Sequence, residues 1–87
     1  EPILNYIINK KIKVGVVFDE LGAKIIPKWF IRSGRQYAIE RVTYTWEEKK
    51  GKGLIKHFAV MAENTHYELT YDTHRTLWHL ASVDDEN

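Results

Sequence analysis

Four histidines stand at positions 57, 66, 74 and 79 of this 87-residue chain, with Glu68 among them. Imidazole beside carboxylate is the raw material of metal ligation and of proton transfer. A zinc site needs three or four such groups converging at about 2 Å. The strand pairings derived below turn His57, His66 and His79 outward on adjacent strands with no two directly opposite, and leave His74 in a turn. Glu68 beside His79 is then the nearest carboxylate and imidazole pair. That spacing fits ordinary surface histidines, so neither a metal site nor an acid-base pair is expected. Nucleophilic catalysis finds less support. The chain has no cysteine, and Ser33 and Ser82 have no elbow, base or oxyanion motif around them. The GKG of residues 51–53 lacks the strand-loop-helix setting of a phosphate-cradling loop. No enzyme activity and no cofactor are expected.

A basic and aromatic belt is the other constellation with chemistry in it. Lys24, Lys28, Arg32, Arg35 and Arg41 fall in consecutive predicted strands, with Trp29 and Tyr37 interleaved and Lys49, Lys50 and Lys52 following. The candidate binding residues are Lys28, Trp29, Arg32, Arg35 and Arg41. Exposed apolar and basic strands of this kind suit a protein partner or a homodimer. They also hold the ingredients of a weak, salt-dependent single-stranded nucleic-acid site, in which bases stack on aromatic faces within a cationic groove. The structural alternative is that arginine stems cover apolar surface and discourage edge pairing. A non-catalytic binding module, chiefly for protein association, is the functional expectation.

Composition bounds these readings. A chain of 87 residues forms one domain with a small core. With 44% hydrophobic and 29% charged residues it should fold on its own. Without cysteine, core packing must hold it together, which suits a reducing, cytoplasmic setting. No run of about 18 apolar residues is present, so no membrane helix is expected. Net charge is +1, but residues 1–56 carry +6 and residues 57–87 carry −5. Such asymmetry suits an anionic ligand or head-to-tail association.

The elements that would position these residues follow from hydrophobic periodicity. Ile3, Leu4, Ile7 and Ile8 behind Pro2 have helical spacing, so residues 1–10 read as a short helix or arm. From Lys11 the period becomes two, with Ile12, Val14, Val16 and Phe18 on one face. DELGA at 19–23 supplies a turn. The second strand, 24–32, carries Pro27, which belongs on an edge or at a bulge. Ser33-Gly34 makes a tight hairpin into a third strand from Arg35 to about Trp46. There Tyr37 and Ile39 share one parity and Val42, Tyr44 and Trp46 the other, so a bulge near Glu40 and Arg41 is expected to keep both sets inside. EEKKGKG at 47–53 reads as a loop. A two-residue turn at Glu63-Asn64 pairs Phe58 with Leu69 and Val60 with Tyr67. A four-residue turn at Asp72–Arg75 pairs Leu69 with Trp78 and Tyr67 with Leu80. The expected fold is all-β: a six-strand antiparallel meander over residues 11–83, bent into a partly open, SH3-like barrel, with an acidic tail at 84–87 that frays.

With these residues in place the chain resembles a family of small bacterial proteins of unknown function, each about this length, sometimes found near translesion DNA polymerases. The matching residues are FDELG at 18–22, Pro27, Phe30, GRQY at 34–37, Ile39, Val42, WEE at 46–48, Phe58, Val60, YEL at 67–69, Tyr71, Asp72 and WHL at 78–80. The chain departs from that pattern at Arg32, where an aromatic is expected, and in the 47–53 loop. The resemblance implies one compact all-β domain and supplies no catalytic residue.

Overall fold

A computed structural model describes residues 3–19 and 24–86, with side chains over 8–19 and 24–84. The fold is all-β. Among the described residues eight strands run in chain order: β1 (Ile3–Lys11), β2 (Lys13–Phe18), β3 (Ile25–Arg32), β4 (Arg35–Ala38), β5 (Arg41–Lys50), β6 (Gly53–Ala62), β7 (Thr65–Asp72) and β8 (Leu77–Glu86). They form a five-stranded sheet A in the order β1-β8-β7-β6-β5 and a three-stranded sheet B in the order β2-β3-β4. Every neighbouring pair is antiparallel. The two sheets face each other without closing into a barrel.

Two expectations at the chain ends are corrected. Residues 3–11 form a strand and not a helix, and residues 84–86 continue β8 instead of fraying, because the two segments pair from Ile3↔Glu86 to Lys11↔His79. An isolated helix of that length cannot repay its nucleation cost, whereas β8 offers a ready ladder. The expected six strands become eight because the arm is a strand and the third strand is two.

The division of that third strand explains the parity slip. The Ile39 amide donates to the Lys28 carbonyl at 2.9 Å, and the next amide, Glu40, donates to Met61 at 2.8 Å. Consecutive residues therefore bond to different sheets, and the chain crosses from B to A between them. Tyr37 and Ile39 face the core from one sheet and Val42 from the other. The slip is a change of sheet; the bulge itself lies further on, between Val42↔Val60 and Tyr44↔Ala59. Thr43 is the extra residue, and its hydroxyl donates to the Ala59 carbonyl at 3.0 Å. Beyond it Tyr44 and Trp46 turn outward, at 64% and 36% exposure, so they do not share the inward face of Val42 as expected.

Phe30, Phe58, Val60, Ala62, Tyr67, Leu69, Leu80 and Val83 form the buried core. Phe30 is the contribution of sheet B. Its ring stacks on Tyr37 at 5.2 Å and meets Tyr67 of sheet A edge-on at 4.9 Å. Such ring pairs add about 0.5–1.5 kcal/mol beyond their buried area. The β6–β7 pairing is the expected one, Phe58↔Leu69 and Val60↔Tyr67, through a turn whose central residues Glu63 and Asn64 have φ of 50° and 62°. That geometry matches the right-handed twist of the strands it joins.

The β7–β8 pairing is displaced by two places. Its turn is Thr73–Thr76, giving Asp72↔Leu77 and Leu69↔Leu80. The Asp72 carboxylate holds this turn, accepting from the His74 and Arg75 amides at 2.9 and 3.1 Å. A shift of two preserves the side-chain faces, so Trp78 and Leu80 still point inward. A bulge then skips Ala81, leaving Tyr67 opposite Val83.

Candidate functional site

The five expected binding residues are dispersed in the fold. Lys28 is the looped-out residue of a bulge between Gly15↔Trp29 and Val16↔Pro27, and it is exposed. This also places Pro27 beside a bulge, as expected of a residue with no amide hydrogen. Trp29 lies on the far side of β3 from Phe30 and covers Gly15. Arg32 points the other way, against the Tyr67 hydroxyl. Arg35 forms a two-pronged pair with the Glu63 carboxylate at 2.9 and 2.8 Å, and its guanidinium lies 4.6 Å from the centre of the Tyr37 ring. Contacts with Tyr37 first and Glu63 next raise the Arg35 pKa further above its ordinary range. Arg41 opens β5, opposite Met61, and is exposed. Arg35 thus ties sheet B to the β6–β7 turn of sheet A, and Trp29 does not share the face of Arg32 and Arg35.

A different cluster occupies the outer, concave face of sheet A. The cross-strand pairings place Trp46, His57, Thr70, His79 and Lys11 in one row across all five strands. His57 sits between two carboxylates. Its Nε2 lies 2.7 Å from Glu48 Oε1 and its Nδ1 2.9 Å from Glu68 Oε2. An ionised carboxylate only accepts, so the arrangement is satisfied when the ring donates from both nitrogens. The Trp46 ring stacks on the imidazole at 4.7 Å and 11°. The expected neighbour of Glu68 was His79, but the two-place shift of β8 moves His79 opposite Thr70 and leaves Glu68 to His57. This clamp pins three strands and borders a groove of about 610 Å³. Among the described residues no group of three or more His, Cys, Asp or Glu side chains is arranged to hold a metal ion.

Sequence reading missed the clamp because it made residues 47–53 a loop. β5 instead runs through Lys50, turns at Gly51-Lys52, and returns with Glu48↔Ile55 and Trp46↔His57. The available signal was the pair of glycines flanking Lys52: a turn at Gly51-Lys52 fixes a register that carries Glu48 and His57 onto one face.

A second opening lies where the two sheets part. β4 ends at Ala38, opposite Trp29, so the first half of β3 has no partner on that side. β5 is likewise the free end of sheet A. Between these edges is a gap of about 500 Å³, lined by Ile25, Ile26, Val42 and Phe58, with Lys24, Thr43, Tyr44 and Thr45 at its rim. Among the described residues no helix is long and apolar enough to cross a membrane. No family model, no curated protein and no solved structure matches this chain.

Proposed function

We propose that this domain is a non-catalytic binding module whose principal partner is another protein, taken up as an extended segment along β5. The observation that carries this is the apolar gap beside a ten-residue edge strand bearing exposed Tyr44 and Trp46. A strand added to an open edge gains main-chain hydrogen bonds, and alternate side chains then find pockets. Here those pockets are the spaces beside Ile25, Ile26 and Phe58. The edge is guarded against indiscriminate pairing by the Thr43 bulge and by Glu47, Glu48, Lys49 and Lys50.

Selection from a library of extended peptides tests the proposal. Selected peptides should shift the amide resonances of Ile25, Ile26 and Thr43–Trp46, and Thr45→Pro should weaken them at least tenfold. Binders that map elsewhere, or no binders at all, would sink it. Single-stranded nucleic acid is the competing reading, favoured by the +6 charge of residues 1–56. It requires Arg32 and Arg35 to leave their present contacts. A labelled oligonucleotide whose anisotropy does not change at low ionic strength would remove that reading, since phosphate contacts are strongest there.

A further inference from the structure

We infer that the concave outer face of sheet A is a separate binding site, for a neutral, hydroxyl-rich ligand of the oligosaccharide class. Its groove of about 610 Å³ falls within the range of about 300–1,000 Å³ typical of small-molecule clefts. Apart from its three imidazoles, the charges lining it balance. Glu48, Glu68 and Asp72 are matched by Lys50, Lys52 and Arg75. A phosphate-bearing polymer would meet the Glu48 and Glu68 carboxylates, and a cation would meet the lysines. A ligand without net charge meets neither penalty.

What the face offers such a ligand is a dense set of donors and acceptors. Glu48 and Glu68 each commit one oxygen to His57 and keep the other without a hydrogen bond among the described residues. Thr70 and His79 lie in the same row as His57. A sugar hydroxyl donates and accepts at once, so it can use carboxylate oxygen, hydroxyl and imidazole alike. Because His57 fixes both carboxylates, little ordering is left for binding to supply. Beside the groove, at the free edge of the sheet, the Tyr44 and Trp46 rings, 5.4 Å apart, form an exposed aromatic strip, with Tyr44 also reaching the rim of the intersheet gap. Such a strip suits the C–H face of a pyranose ring, as aromatic side chains combine an apolar body with a polar tip.

The test is amide-resonance titration of the isotopically labelled 87-residue protein with cellotetraose, xylotetraose, chitotetraose, maltotetraose and mannotetraose in turn. At least one should shift His57, Thr70 and His79, with affinity in the millimolar range or tighter. Trp46→Ala and the isosteric Thr70→Val should each weaken that binding at least fivefold while leaving the remaining spectrum in place. If none of the five shifts these amides at about 20 mM, or if inorganic phosphate alone does so at the Lys50 and Lys52 end, the inference fails. Thr70 and His79, on β7 and β8, line this groove and not the openings beside β5, so shifts there together with the Thr70→Val effect distinguish this result from peptide binding along β5.

Discussion

The Trp29 ring lies so close to Gly15 that a Cβ at that position would enter the indole. Glycine is required there by a neighbour and not by a turn. Gly15→Ala should therefore cost about 1–3 kcal/mol through forced displacement of ring or strand, read as a lowered urea midpoint with unchanged slope. Phe30 is fully buried and is the ring through which sheet B reaches Tyr67. Phe30→Ala should remove about 3–5 kcal/mol, a large share of the roughly 5–15 kcal/mol available to a domain. Tyr67 itself carries a pH signature. Burial raises its pKa above 10.0, with Tyr37 adding to the rise and Arg32 opposing it. An acid whose folded pKa is raised contributes stability that is complete below the unfolded value and lost as pH climbs through the folded one. The protein should accordingly weaken on titration upward from about pH 10. Tyr67→Phe should flatten that alkaline limb, which urea midpoints across the window would measure.

Whole strands show where local pattern succeeds and where it fails. The Ser33-Gly34 and Glu63-Asn64 hairpins were legible because two-residue turns leave one register for the flanking apolar residues. The turn after β7 was misread by one residue. Asp72 ends the strand and caps the turn with the same side chain, a dual role that residue type alone does not show. The β1 strand was misread for a different reason: its partner is at the other end of the chain, and Ile3, Leu4, Ile7 and Ile8 fit a helical stripe until that partner is known. The same limit hid the site. Glu48, His57 and Glu68 come from three strands, and each was assigned a plausible separate fate. Because the clamp spans β5, β6 and β7, it should also hold the edge strand down. His57→Ala is expected to speed hydrogen exchange of the β5 amides more than those of β7. Equal acceleration in both strands would mean that the clamp does not anchor the edge.

At the scale of the molecule, the charge asymmetry of the sequence does not become two poles. In sheet A the acidic C-terminal strands β7 and β8 lie between β1 and the β5–β6 hairpin, which come from the basic part of the chain. The Arg35 and Glu63 pair crosses between the halves as well. Part of the imbalance is therefore met internally. The β1–β8 ladder has another consequence. It sets Ile3 directly opposite Glu86, so the two ends of the described chain are about one interstrand spacing, roughly 5 Å, apart. The topology is that of an almost closed ring of sequence. A short glycine-serine bridge across those ends, with the chain reopened between Gly51 and Lys52, should yield a circular permutant that keeps every strand pairing except the continuity of one exposed turn. Cooperative urea unfolding of that permutant, with a slope near the parent's, is the expected result. A broad, non-cooperative transition would show instead that the β5–β6 turn must be covalently intact for the sheet to assemble.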